Sequence, residues 1–446
     1  MRSPQPRTRP ALRQYQRRIA NTILAAIRAH EADVITVKVA RQGGKNEVSS
    51  QLEALLLGTH RHKGGSIVKA APTLRPQARL SRIRLEAQLR AMLIPYRRDQ
   101  FHIQTGEAFI DFASAAPGAE TVGLTASLLL EVDESQDVDA DNYEQVFDPM
   151  RASTAAPVVF WGTSWSATSL LEAKAASKGA ININIPWYDI AGELPAYGKF
   201  VERRAAEMGQ DNPVFRAHYL GIPAPGAGRM LKSTIGIPAP YEQLLQPAGP
   251  GPFVGAADFA GVVKSDDEEN KRDATVVAIA RVINRGSGIP TVEVVDVARM
   301  DYSDPGILAD QLARIAAVWR LELFALDATG LGGPIAAAAA RQIAATAPAC
   351  RVLEQPMSGT TKSDVGYKLL ASVETDRLHL PGTGSDDVAT ALRQLSLLRA
   401  VYLPGGLIRW AVYERGEHDD HAFVVAFANW AAHQLEAPRV ATGRRR

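Results

Sequence analysis

The sequence predicts an α/β protein of two domains, and three observations predict it. The chain has 446 residues, more than one ordinary hydrophobic core organises. Through its first half, β-branched apolar runs alternate with long Ala/Leu-rich amphipathic stretches, the pattern of a parallel sheet with helical crossovers. After an interval dense in Pro and Gly such runs resume, the first of them spaced like a meander.

The first-half strands are VITVKV at 34–39, SIVKAA at 66–71, SLLLEVDE at 127–134 and PVVFWGT at 157–163. From about 170 the pattern loosens, and IPAPGAGRMLKSTIGIPAPYEQLLQPAGPGP reads as linker ending near 250. The strands FVGAADFAGVV, ATVVAIARVI, TVEVVDVARM, LELFALDATG and LIRWAVY then form a second α/β domain. The expected division is a first domain at 1–170, a lid or linker subdomain at 171–249, a second domain at 250–436 and a basic tail at 437–446.

Hydrophobic content of 46% and charged content of 22% describe a globular protein, with no run of the roughly 18 apolar residues that span a bilayer. The basic N-terminus leads into no apolar stretch with a cleavage site, so a cytoplasmic location is expected. The lone Cys350 excludes an internal disulfide and a cysteine zinc site, which leaves oxygen or histidine to hold any metal. Net charge is +2, so positive charge is local: Arg7, Arg9, Arg13, Arg17 and Arg18, the stretch from Arg75 to Arg98, and Arg444, Arg445 and Arg446. Such clusters either neutralise phosphates or are solvated faces.

Strand 34–39 runs into Ala40-Arg41-Gln42-Gly43-Gly44-Lys45-Asn46-Glu47 and then a helical pattern, VSSQLEALLLG. A strand, a glycine turn with Lys and a helix make the setting of a phosphate-binding loop. Glycines admit backbone N–H groups to the phosphates, the helix N-terminus adds positive potential, and Lys45 supplies a point charge. The loop lacks the usual first glycine, and Asn46 stands where Ser or Thr normally ligates Mg²⁺. An Asn amide oxygen reaches the ion directly, through water, or not at all.

Leu128 to Glu134 is an apolar strand ending in two carboxylates, as in a Walker B motif. There Asp133 would hold the magnesium and Glu134 would orient and polarise the attacking water. The alternative is a solvated acidic turn at a strand end. Thr163, in Gly162-Thr163-Ser164, ends the next strand where a hydroxyl could sense the γ-phosphate, unless this is an ordinary strand-to-loop turn. Upstream, Gln16 could read an adenine edge while Tyr15 stacks beside it.

The order Tyr15-Gln16, Ala40 to Lys45, Ala70-Ala71-Pro72-Thr73, Leu130 to Glu134 and Gly162-Thr163-Ser164 resembles the ATPase of tailed-phage terminase large subunits. The resemblance spans roughly residues 10–435 and rests on motif order and spacing. It implies an N-terminal P-loop ATPase of the additional-strand (ASCE) class with a parallel sheet, and a C-terminal nuclease of RNase H-like fold with a mixed sheet. It makes Arg41, inside the phosphate loop, a charge-stabilising finger, and Arg151 a finger acting on a neighbouring subunit's ATP. It implies ATP-driven translocation of double-stranded DNA into a procapsid and endonucleolytic cutting of concatemers. The implied partners are DNA, a portal protein and a small terminase subunit. The subunit would be a monomer in solution and part of a ring, of five copies, on the portal, in the host cytoplasm and with no membrane.

In the second half, Asp258 interrupts an apolar strand, where a carboxylate is costly unless paired or metal-bound. Asp327 ends a second buried strand, and Asp419 and Asp420 precede the apolar AFVVAF, which reads as a buried helix. Three carboxylates on two strands and a helix suit a two-metal phosphodiesterase site holding Mg²⁺ or Mn²⁺ through hard oxygen ligands. Asp419 and Asp420 also suit helix N-capping; from the resemblance, Asp420 is the third ligand, with Asp419 the alternative. Asp273 resembles an auxiliary acid. His418 and His421 read as supporting groups and not as a zinc site. Lys362 reads as a phosphate contact or a solvated lysine.

Two rival functions stand beside this reading. One is an ATP-dependent helicase-nuclease of repair or defence, against which no array of helicase motifs follows residue 165. The other is a DNA-binding assembly protein with a decayed ATP site, which Asn46 and the missing glycine would suit.

Overall fold

A computed structural model describes residues 11–29, 34–119, 121, 123–224, 227–249, 251–259, 275–283, 289–301, 304–403, 406–414 and 417–435. Asp273, Arg7, Arg9 and the 437–446 tail lie outside them. The chain forms two compact units. The first runs to Arg204 and adds Pro213–Gly226 and Pro404–Gly406; the second holds Ala205–Asn212, Ala227–Leu403 and the chain from Leu407.

The first unit is an eight-stranded sheet. Its strands are β1 (Val34–Val39), β2 (Gly65–Ala71), β3 (Arg97–Asp99), β4 (His102–Thr105), β5 (Ala108–Ser114), β6 (Leu129–Val132), β7 (Val158–Gly162) and β8 (Ile181–Ile185). They lie in the order β3-β4-β5-β2-β6-β7-β1-β8, parallel from β5 to β8 with a β3-β4-β5 antiparallel edge. One strand, β7, separates β1 from β6. That interposed strand gives the additional-strand class of P-loop ATPase its name.

Helices α1 (Gln14–Ala29), α2 (Lys45–His60) and α3 (Arg79–Ala91) cover this sheet. The β-branched side chains of β1 suit a buried central strand, and Ile35 and Val37 are fully enclosed with Ile19 and Ile23 of α1.

The second unit carries a seven-stranded sheet built from β10 (Pro238–Glu242), β11 (Phe253–Asp258), β12 (Thr275–Ile283), β13 (Thr291–Met300), β14 (Leu321–Asp327), β15 (Arg351–Gln355) and β16 (Leu378–Thr383). The order is β10-β16-β13-β12-β11-β14-β15. Within it β11, β12 and β13 make the antiparallel meander, while β14 and β15 run parallel to β11. A three-strand meander extended by two parallel strands beyond its first member is the RNase H-like core. Strand β9 (Ala227–Arg229) joins β17 (Arg399–Tyr402) and β18 (Ile408–Ala411) in a small separate sheet.

Four helices matter to the second site: α4 (Gly332–Thr346), α5 (Gly359–Glu374), α6 (Asp386–Leu397) and α7 (Asp420–Leu435). Twelve of the sixteen residues of α7 are buried, because it packs on β11 and β12 with α5 and α6 against it. No described helix is long and apolar enough to cross a membrane.

The stretch expected as a separate lid, 171–249, is divided between the two units. Strand β8 pairs with β1 because its alternating Ile/Asn pattern suits a sheet edge, and β9 and β10 pair within the second unit. The density of Pro and Gly there marks short edge strands and turns.

Candidate active sites

In the first unit, the end of β1 and the start of α2 form the phosphate loop. Gly44 has φ +79°, which favours glycine, and a Cβ on Gly43 would lie 2.5 Å from Ile190 Cδ1 and 2.8 Å from Ala40 O. The two glycines are therefore fixed by shape. Tyr15 Oη donates to Gly43 O at 2.8 Å, and Gln16 Nε2 donates to Gly44 O at 3.3 Å. Gln16 Oε1 accepts from the Arg13 N–H at 2.9 Å, so both of its amide ends are engaged. Sequence suggests adenine reading for Gln16 and stacking for Tyr15; in the structure both are buried and brace the loop backbone.

Lys45 opens α2, and its Nζ lies 3.3 Å from Asp133 Oδ1 and 3.0 Å from Glu134 Oε1. Burial alone would lower the lysine's pKa, but Asp133 and then Glu134 raise it above the ordinary value. Burial would likewise raise Asp133, but Lys45 and then Lys69 hold it below. The ammonium and the Walker B carboxylate are thus both charged. A cleft of about 750 Å³ opens over them, with Arg41, Asn46, Thr163 and Arg84 among its walls. Arg41 is held by its backbone N–H to His218 O at 2.8 Å and its carbonyl to Tyr197 Oη at 2.9 Å. Burial, then Arg41 and Arg204, push His218 down to about 4, which leaves a neutral ring with Nε2 3.5 Å from Arg41 Nη1. Thr163 Oγ1 donates to Val39 O at 3.4 Å.

Arg151 does not line this cleft. Its Nε donates to Asp148 Oδ1 at 3.0 Å and its Nη1 to Ala156 O at 3.2 Å, closing the turn that contains it. A finger acting on another subunit would have to leave those partners.

Lys69, Glu53, Glu131 and Trp161 are among the side chains of the first unit that escape a reading of the sequence, because their partners are distant in the chain. Lys69 is enclosed with Glu53 at 2.5 Å and Glu131 at 3.8 Å, and Trp161 Nε1 donates to Glu131 Oε1 at 2.8 Å. One cation faces two buried acids. Burial, with Glu53 beside it, therefore raises Glu131 well above the usual carboxylate range despite Lys69. Elsewhere, Arg75, Arg79, Arg82 and Arg98 surround a concavity of about 330 Å³. Glu86 pairs with Arg82 at 2.6 Å and with Arg98 at 3.4 Å, so positive charge predominates there.

In the second unit, strand register makes the acidic site. Ala257 of β11 pairs with Leu326 of β14 in parallel, which sets Asp258 beside Asp327 at the same end of the sheet. Burial, then Asp327, Asp420 and Asp419, raises Asp258 well above the usual range, with Lys362 opposing. Lys362 Nζ is 3.6 Å from Asp419 Oδ2 and sits over the rings of Trp410 and Phe423. It is directed at the acids and is not a merely solvated lysine.

Neither acid is needed as the helix cap. Gln394 Oε1 accepts from the backbone N–H groups of His421 and Ala422, both at 3.0 Å, and covers the first turn of α7. His421 Nε2 meets Asp387 Oδ1 at 2.9 Å, a supporting contact.

Mutual repulsion among these carboxylates, Asp327 buried and the others half-buried, is the electrostatic setting a divalent cation relieves, and four oxygen-bearing acids suit Mg²⁺ or Mn²⁺. Among the described residues, however, no three such side chains converge as the ligands of one ion. Asp327 Oδ1 accepts from Thr329 N at 2.8 Å and from Thr329 Oγ1 at 2.5 Å, and Asp419 turns to Lys362.

The strand orders give the fold of a P-loop ATPase of the additional-strand class, joined on one chain to an RNase H-like domain. No family model and no curated protein matches the chain. Among solved structures, the large terminase of a thermophilic bacteriophage is similar at a TM-score of 0.55 and 12% identity, covering 94% of this chain and 99% of that one. A second crystal form of that same phage terminase, in complex with ADP, gives a TM-score of 0.51 at 12% identity over the same shares. The large terminase nuclease of the thermophilic phage G20c with bound magnesium covers 45% of this chain and 93% of its own, at 19% identity. Its TM-score is 0.32. The fold is that of a phage large terminase.

Proposed function

We propose that the chain is the large subunit of a tailed-phage terminase, hydrolysing ATP to translocate double-stranded DNA into a procapsid and cutting concatemeric DNA. The observation that carries this reading is the presence of both constellations on one chain of that fold: Lys45 against Asp133 and Glu134, and Asp258 beside Asp327, Asp419 and Asp420.

In the ATPase, the loop N–H groups and Lys45 would bind the β- and γ-phosphates, and Asp133 would hold the accompanying Mg²⁺. Glu134 orients the attacking water and accepts its proton, while Arg41 meets charge developing on the phosphoryl group. The undisturbed Lys45, Asp133 and Glu134 geometry supports hydrolysis over a decayed site. In the nuclease, Asp258, Asp327 and Asp420, with Asp419 as the alternative, would hold the divalent ions. When bound there, Mg²⁺ or Mn²⁺ would supply activation of water and charge stabilisation at the leaving oxygen of the phosphodiester. Lys362 balances the acids and stands ready for a substrate phosphate.

The partners that follow are DNA, a portal protein, a small terminase subunit and further copies of this chain in a ring on the portal, all in the host cytoplasm. The test mixes the purified chain with portal-bearing procapsids, linear DNA and ATP and measures DNA protected from added nuclease. ATP-dependent protection is expected. ATP turnover that DNA does not stimulate, together with no protection, would overturn the reading.

A further inference from the structure

Glu134 occupies the left-handed region, with φ +46°, and the following turn is fastened to the end of β7. Ser135 Oγ donates to Trp161 O at 3.0 Å. Gln136 then spans the gap with both ends of its amide. Its Nε2 donates to Glu134 Oε2 at 2.8 Å, and its Oε1 accepts from the Thr163 N–H at 3.2 Å. The other oxygen of Glu134 faces Lys45 Nζ at 3.0 Å.

The bridge has a shaped seat. A Cβ built on Gly162 would lie 2.5 Å from Gln136 Oε1 and 2.6 Å from Leu171 Cδ2, so the amide occupies space that any side chain at 162 would take. Glycine at the end of β7 is what lets the carboxamide reach Thr163.

We propose that Gln136 is a positioning residue for the ATPase: it fixes the Glu134 carboxylate for water attack and ties its orientation to the loop at Thr163. The inference rests on the proposed reading of Glu134 as the water-orienting acid. When a triphosphate draws the Lys45 ammonium onto its own oxygens, the lysine no longer holds Glu134. The Gln136 N–H is the contact that remains. The amide needs its donor for this role, because a carboxylate or an apolar group at 136 gives Glu134 nothing to accept from.

The test uses Gln136→Met, which keeps length and volume and removes the hydrogen bonds to Glu134 and Thr163 together with a third, donated by Nε2 to Asp137 Oδ2 at 3.1 Å. Steady-state ATP hydrolysis by the full chain should show kcat lowered about tenfold or more, with KM within about twofold, since only transition-state orientation is lost. Metal-dependent DNA cleavage by the same preparation should be unchanged. Gly162→Ala should reproduce the kcat loss. The double variant Gln136→Met/Gly162→Ala should be no slower than Gln136→Met, because both changes break one bridge.

Wild-type kcat in Gln136→Met, a change confined to KM, or losses that multiply in the double variant would each overturn the proposal. If Gly162→Ala fails to fold, the kcat and KM of Gln136→Met decide alone. Glu134→Ala separates the two levels. An active Glu134→Ala sinks the underlying reading of Glu134. An inactive Glu134→Ala beside a fully active Gln136→Met sinks only the role of Gln136.

Discussion

Lys45 Nζ lies 3.0 Å from Glu134 Oε1, so the phosphate loop and the acid that follows β6 meet directly across the cleft floor. The pair joins the group that binds phosphate to the group that handles water. Glu134→Ala is expected to lower DNA-stimulated ATP turnover by about 10²-fold or more, the usual contribution of a general base. DNA cleavage in Mn²⁺ should persist, because the acids of the second unit are untouched. Unchanged phosphate release in a malachite-green assay would remove Glu134 from the mechanism.

Asp258 presents the opposite balance, a half-buried acid raised first by desolvation and then by its acidic neighbours, and opposed by Lys362. Asp258→Asn removes the capacity of that group to carry a fourth negative charge and keeps its shape. In chelator, the variant should be more stable than the parent by about 0.5–2 kcal/mol, the range typical when a strained functional site is relaxed. It should lose plasmid nicking and keep ATPase activity. Added Mn²⁺ should raise the parent's melting temperature and leave the variant's almost unchanged. Equal Mn²⁺ shifts in both proteins would place the ion elsewhere.

The parts of these sites that the sequence declares are those with local signatures. The loop around Lys45, the acids at the end of β6, and Asp258 and Asp327 at the ends of apolar strands each violate or punctuate a short pattern. The meander that opens the second domain is legible from its closely spaced strands, while the RNase H-like character of the core is what the resemblance to terminases implies. Gln136, His218 and Gln394 carry no such signature. Each acts through a contact made only after folding: Gln136 with Thr163, His218 with Arg41, and Gln394 with the first turn of α7. Tyr15 and Gln16 are visible as a pair, but their choice of loop carbonyls over a base depends on how α1 packs. The 171–249 stretch reads as linker because short edge strands rich in Pro and Gly have too little periodicity to announce themselves.

Glu131 gives a pH dependence with a definite sign. Its folded-state pKa is raised from its ordinary 4.5, by burial first, so the native state holds a proton that the unfolded chain releases. That contribution to stability is complete below pH 4.5 and declines as pH rises through the folded value. Glu131→Gln keeps an acceptor for the Trp161 N–H, found at 2.8 Å, and leaves Lys69 paired with Glu53. The variant's melting temperature relative to the parent should therefore climb from about pH 5 to about pH 8, by about 2–4 °C for each kcal/mol recovered. A constant difference across that range would mean that Glu131 is ionised in the native protein.

The arginine-lined concavity offers a countable prediction. Arg82 and Arg98 already share Glu86, and Arg75 and Arg79 add charge beside them. If this face tracks a DNA backbone, each arginine that meets a phosphate releases one condensed counterion, which contributes about −0.9 to the slope of log K against log salt. Replacing Arg75 and Arg79 together by Ala should weaken binding to all duplex sequences alike and make that slope shallower by about 2. ATP hydrolysis without DNA should stay at the parent rate, since neither side chain reaches the phosphate loop's cleft. Fluorescence anisotropy with a labelled duplex across a salt series reads the slope directly. An affinity loss with an unchanged slope would point to altered shape, and an unchanged affinity would remove this face from the DNA path.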